Sequence, residues 1–502
     1  MVRQGADKGM TSVAQRLRQK LLNLAIHGKL VPQNPQDEPA GELLARIRKA
    51  RLQLLAAKGI KKEGQIIPVG EDEVPFELPK EWTWCRFREL GILTGGHTPS
   101  MANPKFWNGD VLWVTSKDMK RKYIEDTGAK ITALGADELT TLEPGAVLMC
   151  TRSGILRRTF PVAIAAKELT INQDQRALTL ALPEMAEYVY SALCALEPLI
   201  LAEYRKTGTT VESIIWEKFI DMPFPLPPLA EQKRIVEKLN EMLKEATRVA
   251  EGTERLAQLR KKAKAKILDL AIRGKLVKQE KSDEPASELL KRIAAEKTKL
   301  VAEKKIKKEK PLPPIAEDEI PFDLPRDWKW TRLGNVLRVI NVGIVIKPTR
   351  YYTKKDGIMA FRNSNVGEGF VDRRNWVQIS HKGTRENPRC VLHEGDIAIA
   401  RSGKPGVACP ITKEFEGYAA IDILIATPFS DVVDDEYICF CINNSTAQRV
   451  ILGMNRGIAQ SHVGATSIVN LPIPLPPLAE QHRIVAKVKE MLAACDAFGG
   501  EG

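Results

Sequence analysis

Two Arg-Ser-Gly triplets, each directly after a run of strand-forming residues, are the first candidates for chemistry: residues 150–154 read CTRSG and residues 400–403 read ARSG. An arginine fork beside a glycine turn could grip phosphate or guanine, which accepts two guanidinium N–H groups at once. A turn held by a structural arginine would use the same residues, and the sequence leaves both readings open. Around Arg152 and Ser153, the cations Lys120, Arg121, Lys122, Arg157 and Arg158 are phosphate-contact candidates. Around Arg401 and Ser402, Lys347, Arg350, Arg362 and Lys404 supply charge, while Asn363 and Asn365 carry amides of the kind that pair with adenine.

Catalytic and metal-binding patterns are missing. There is no GxxxxGK[ST] phosphate loop, no NPP or DPP adenine-methylase motif and no Rossmann glycine fingerprint. Asp221 with Glu231 and Lys233 mimics a nuclease D…ExK arrangement, but its duplicate reads Glu480, Gln481, His482. Both fall where a helix is expected to start, which favours a capping role. The eight cysteines lack paired CxxC spacing and read as reduced, mostly buried thiols. The six histidines are scattered without a second ligand at helical spacing, so no metal site is expected.

These residues sit inside a chain that says nearly the same thing twice. LAIHGKLV at 24–31 returns as LAIRGKLV at 270–277, DEPA with ELL at 37–44 returns at 283–290, and EDEVPF with Trp82 and Trp84 returns as EDEIPF with Trp328 and Trp330. FPLPPLAEQKRIV at 224–236 pairs with IPLPPLAEQHRIV at 473–485, and TGTT at 207–210 stands where RGIA stands at 456–459. So long a repeat implies two whole domains on a common scaffold. The stretches between the shared blocks differ, which suggests two similar modules reading two different things.

The shared framework is predicted to be helical. Pro227 and Pro228 precede an interval free of proline that runs to Gly274, and Ile235, Leu239, Met242, Ala246, Val249, Thr253 and Leu256 recur at alternating four- and three-residue steps. After a phase slip Leu259, Ala263, Ile267 and Leu270 continue the apolar face, with Gly252 a weak point. A helix of about 45 residues is roughly 70 Å long, too long for one small core, so it is expected to be a spacer. Its partner comes in two pieces, 478–497 copying the first half and 11–27 the second. Together they predict a broken antiparallel helix, a circular organisation with the termini close together, and a pseudo-two-fold object. Residues 40–58 and 286–305 read as shorter amphipathic helices, with Leu43, Leu44, Ile47 and Leu54 facing a core. Acidic, proline-punctuated linkers at 68–79 and 311–325 follow them.

The heads then begin near Trp82 and Trp328. Strand-like runs at 111–115, 146–150, 177–181, 396–400 and 421–426 alternate with helical stretches at 184–204 and 435–452, an α+β pattern. The expected division is 1–79 helical region and linker, 80–226 head one, 227–325 central helical region (helices 228–274 and 286–305, then a linker), 326–473 head two and 474–502 C-terminal helix. A chain of 502 residues with 43% hydrophobic and 28% charged residues is globular. The net charge of +13 permits nucleic-acid binding; head one is near charge balance, head two modestly basic, and the framework carries most of the excess. The runs RKKAKAK (260–266) and KKIKKEK (304–310) suit a solvated helix face or linker as well as a binding site. No apolar run approaches a bilayer span and MVRQGADKGM lacks a signal core, so a cytoplasmic protein with no membrane association is expected.

With GKLVPQ, DEPA, ELLARI, the LP-x2-W-x-W stretch and PLPPLAEQ-x-RIV in place, nearly the whole chain resembles the DNA-specificity (S) subunit of type I restriction-modification enzymes. GGHTPS at 95–100 is similar to the opening of target-recognition domains in that family, which adds His97 and Thr98 to the DNA-contact candidates, and Thr209 of TGTT is a further one; head two has GIVIKPT at 343–349 instead. The resemblance implies two target-recognition domains, each reading one half of a bipartite asymmetric site on double-stranded DNA, held apart by a two-helix coiled coil. It implies docking of two modification (methyltransferase) subunits, which bring S-adenosylmethionine, and of restriction subunits that use ATP and Mg. The chain itself would bind no cofactor and catalyse nothing. Two rivals are an autonomous bipartite repressor and a coiled-coil scaffold that does not touch DNA.

Overall fold

The computed structural model describes residues 12–60, 64–137, 139–207, 211–453 and 462–497. The expected meeting of the chain termini, and the pairing of 207–210 with 456–459, fall largely outside them. The protein forms two units, residues 1–254 and 255–502, and both mix helices with sheets.

In the first unit the helix Ser12–Ile26, the helix Ala40–Ala57 and the start of the long helix Leu229–Ile272 bury their apolar faces in one core with the head. Leu22, Ile26, Leu43, Ile47, Trp82, Phe87, Tyr188, Phe224, Ile235 and Leu239 all belong to it. The face of the second helix is completed by Arg51 and Leu55, while Leu54 is only half-buried. The head's main sheet runs in the order Gly91–Gly95, Gln175–Leu180, Val147–Cys150, Val162–Ala165, Tyr123–Ile124, and a second sheet orders Ala129–Ile131, Trp107–Val114, Thr170–Ile171. The strand Thr83–Arg86 pairs antiparallel with Pro223–Leu226 and closes the head at its stem. The prolines of this edge strand remove donors that no further strand needs.

The second unit repeats the plan. The end of the long helix, the helix Ala286–Ala302 and the helix Leu478–Ala497 share a core with Trp328, Tyr437, Leu471 and Ile473. Leu337–Val342, Ile423–Pro428, Ile397–Ala400 and Ala408–Pro410 form the main sheet; Tyr352–Thr353, Val377–Ser380, Gly357–Phe361 and Ala419–Ala420 form the other. Lys329–Arg332 pairs with Pro472–Leu475 at the stem. Head two therefore keeps the central strand order of head one, without a counterpart of Tyr123–Ile124 and with Tyr352–Thr353 added, although its sequence has diverged. Cys439 and Cys441 lie buried on the helix Asp435–Asn443 and not on a strand, and the helical stretch expected at 184–204 breaks before Pro198 into Ala186–Ala195 and Glu197–Glu203.

One hydrogen-bonded constellation explains why the same words recur in the sequence. Glu231, nearly fully buried in the first turn of the long helix, accepts from Trp82 Nε1 (3.0 Å) and Gln33 Nε2 (3.1 Å), and Arg234 one turn on grips Asp37 (2.6 Å). In the second unit Glu480 accepts from Trp328 Nε1 (2.9 Å) and Gln279 Nε2 (3.1 Å), and Arg483 grips Asp283 (2.6 Å). Burial raises the carboxyl pKa of both glutamates, and the donated hydrogen bonds work against that rise. Gly28 and Gly274 turn the chain with φ of 62° and 63°, and a side chain at either would collide with Pro79 or Pro325. Arg86 binds Glu73 and three backbone carbonyls, Ile67, Pro68 and Asp221; Arg332 binds Glu319 and the carbonyls of Pro313, Pro314 and Asn470. These arginines strap each acidic linker to the head's stem. The D…ExK resemblance dissolves here: Asp221 pairs with Arg88, and Glu231 with Trp82 and Gln33.

Among the described residues the helical seam is covered unevenly. Ile235 and Leu239 are buried and Met242 and Ala246 pack at the edge of the first core; Ile267 is buried and Leu270 half-buried in the second unit. Val249 (58% exposed) and Leu256 (40%) are exposed whereas Ala250 is buried, so in mid-helix the covered positions depart from the expected seam. Within the second unit Lys264 pairs with Asp496 while Gln279 meets Glu480, so the C-terminal helix runs antiparallel to the end of the long helix.

Candidate nucleic-acid interface

In head two, four strand ends lie side by side. Ala400 pairs with Ile423, Val342 with Leu424 and Phe361 with Ala420, so the loops that leave at 343, 362, 401 and 421 share one end of the head. Asp422, in left-handed backbone conformation with φ 50°, ties them together. Its carboxylate accepts from Arg401 Nη1 (2.6 Å), its carbonyl accepts from Asn363 Nδ2 (3.0 Å), and its N–H donates to Ile344 O (3.2 Å). Asn363 Oδ1 in turn accepts from the backbone N–H groups of Arg401 (2.6 Å) and Ser402 (3.1 Å). The sequence-selected residues Lys347, Arg362, Asn363, Arg401, Ser402 and Lys404 thus do come together.

Their side chains divide into framework and free surface. Lys347 and Lys404 are exposed. Arg350 is exposed but stacks over Tyr351 (4.5 Å), whose hydroxyl donates to Glu386. Arg362 donates to the Asn375 carbonyl. Asn365 is a correction: it is fully buried, its amide donates to the carbonyls of Asp372 and Arg374 (2.9 Å each), and its oxygen accepts from Arg362 N, which leaves nothing for a base. The structural reading of the second Arg-Ser-Gly arginine is also met, since Arg401 is committed to Asp422 and to the Val463 carbonyl.

Head one builds the same end from different residues. Cys150 pairs with Gln175, Gly95 with Arg176 and Val114 with Ile171, so the turn 172–175 stands where Asp422 stands in head two. His97 N donates to Ile171 O (3.0 Å), Thr98 Oγ1 donates to Gln173, and Thr151 N and Arg152 N both donate to Asp174 O (2.9 and 3.2 Å). Arg152, Arg158, Lys120, Arg121 and His97 are exposed; Ser153 Oγ caps the turn that follows it. Arg157 pairs with Glu212, and Lys122 is turned away to Glu187 between the rings of Tyr123 and Tyr190. Lys122 is therefore engaged within the head. Thr209 lies outside the described residues.

Sequence reasoning missed both organising turns. Asp422 was absorbed into a strand expected to run through 421–426, whereas the strand starts at Ile423; the polar NQDQ break at 172–175 is the visible signal for such a turn. Among the described residues no group of histidines, cysteines and carboxylates could hold a metal ion, and no single helix is long and apolar enough to cross a membrane.

Two heads of one topology, each ending in a loop cluster rimmed with cations and carried on repeated helices, define a duplicated binding protein. Residues 79–258 and 325–498 each match the type I restriction modification DNA specificity domain, and the chain belongs to that family, whose members are the DNA-recognising, non-catalytic specificity subunits of type I restriction-modification systems. It is similar to two Escherichia coli proteins: 27% identical to the type I restriction enzyme EcoEI specificity subunit and 28% to that of EcoAI, in each case over 96% of this chain and 89% of the relative. The fold resembles a chain solved in work on complex assembly and conformational transition of the type I restriction-modification system, with a TM-score of 0.51 at 19% identity, covering 85% of this chain and 93% of that one.

Proposed function

We propose that this chain reads a bipartite, asymmetric site on double-stranded DNA, one half with each head, as part of a type I restriction-modification complex. The observation that carries the reading is the pair of loop clusters around Asp422 and around residues 172–175: equivalent places in one topology, furnished with different side chains. A common frame with unlike loops gives two unlike half-sites, and base edges specify while cations position. The long helix Leu229–Ile272 would fix the half-site separation, and reading one face of B-DNA favours centres about one helical turn, roughly 34 Å, apart.

The repeated helical framework would give two equivalent docking faces to two modification subunits, with restriction subunits joining them. S-adenosylmethionine, ATP and Mg would be held by those partners. The test is selection from random duplex pools by the full chain with and without a modification subunit. Two-part selection that needs the partner supports this reading. Selection by the chain alone favours an autonomous repressor, and none in either condition favours a scaffold. Exchanging residues 80–226 for another reader should change one half-site and leave the other intact; a change in both would sink the assignment.

A further inference from the structure

The loop at 343–350 of head two is fixed at its base and open at its tip. Gly343 N donates to Ile423 O (2.9 Å) and Ile344 N to Ala420 O (2.9 Å). A side chain at Gly343 would collide with the Ala420 carbonyl, so glycine lets the loop close onto its neighbour. On the far side Lys347 turns the chain at φ 46° and Pro348 opens a single 3-10 turn, Pro348–Tyr351, that ends in buried Tyr351. Between these two anchors the loop presents apolar side chains: Ile346 is 76% exposed and Val345 47%.

Isolated exposed aliphatic residues are common on protein surfaces. This one stands next to Lys347, on the cluster that also carries Lys404, and head one has Met101, 74% exposed, in the corresponding loop ahead of its own 3-10 turn Pro104–Phe106. An apolar tip set among cations matches a partner that offers an apolar group inside a field of negative charge. The major groove of duplex DNA offers one, the thymine 5-methyl group flanked by phosphates.

We propose that Ile346 is a specificity-determining residue that recognises a thymine in the half-site of head two by packing on its 5-methyl group. The proposal rests on the DNA-reading function above. Uracil differs from thymine by that methyl alone and keeps the same hydrogen-bonding edge, so a thymine-to-deoxyuridine exchange isolates the contact.

The experiment uses the full chain assembled with a modification subunit on its selected duplex, with each thymine of either strand replaced singly by deoxyuridine. At one position in the half-site of head two, the exchange should weaken binding about fourfold, the weight of one methyl returned to water. Ile346→Ala should bind the thymine duplex more weakly and respond to no exchange in that half-site. Ile346→Val should keep most of the response, and responses in the other half-site should be the same in all three proteins. The inference is overturned by a half-site of head two made only of G·C pairs, by the absence of any deoxyuridine effect there in the unaltered protein, or by an equal effect in Ile346→Ala. It is equally overturned if Ile346→Ala changes only assembly with the modification subunit. Loss of sequence selection by both heads of the unaltered protein would instead overturn the DNA-reading function, and this inference with it.

Discussion

Asp422 and Arg401, on loops leaving two adjacent strands, meet at 2.6 Å, and through the Asp422 backbone the pair also holds Asn363 and Ile344. Asp422 thus sets the relative position of three loops, its carboxylate holding the one that carries Arg401 and its backbone the other two. Removing it in Asp422→Ala frees the Arg401 guanidinium and strains a left-handed position that aspartate tolerates better than alanine. Binding assays on single-base variants of each half-site should show selectivity of head two falling by about tenfold, a cost of roughly 1.4 kcal/mol per wrong base. Selectivity of head one should be unchanged. Equal losses in the two halves would contradict a hub local to head two.

The two glutamate constellations should behave as independent locks. In Trp328→Phe the buried Glu480 loses one of its donors, and in Trp82→Phe Glu231 does, at a cost of about 1–3 kcal/mol in each unit. The residues fall in different units, so the double variant should show the two losses added together. Denaturant unfolding checks both statements, and a double variant no less stable than either single one would refute them.

Acid should loosen the straps on the linkers. The Arg332 guanidinium, with the Ala316 N–H, holds the Glu319 carboxyl down at about 2, below the 4.5 of an unperturbed glutamate. A carboxyl depressed in the folded state adds stability that is complete above about pH 4.5 and is lost as the pH falls toward 2. Asp435 has the opposite sign: burial and the neighbouring Asp434 and Glu436 lift it to about 6, so its contribution worsens as the pH rises from about 4 to 6. Unfolding midpoints against pH should fall less steeply between 4.5 and 2 for Glu319→Gln than for the unaltered chain. Asp435→Asn should flatten the segment between 4 and 6.

Lengthening the long helix tests its role as a ruler. A heptad inserted after Leu256, where the helix faces solvent, adds about 10 Å of rise without touching either head. Sites selected from random duplexes should then keep both half-sites and carry a wider gap of unread base pairs. An unchanged gap would show that something other than this helix sets the separation.

The sequence by itself determined the elements whose cause is local or periodic. The proline-free interval with alternating four- and three-residue steps became the helix Leu229–Ile272, and the repeated Trp, Glu and Gly positions became the same lock twice. Of the strand ends that meet in head two, those of the apolar runs 396–400 and 421–426 were legible, whereas Leu337–Val342 and Gly357–Phe361, which lead to the loops of Lys347 and Asn363, were not. Tertiary structure alone decided which of those side chains face outward. Asn365 and Lys122 look like any other polar residues in sequence, yet one is enclosed by carbonyls and the other is drawn to Glu187. Their roles depend on what adjoining strands bring alongside. Asp422 shows the reason most directly: a left-handed turn between two strands leaves little periodic trace, and its partners lie on loops set by nonlocal pairing. The mid-helix seam has the same origin: apolar spacing marks Val249 and Leu256, yet packing buries Ala250 and leaves those two exposed.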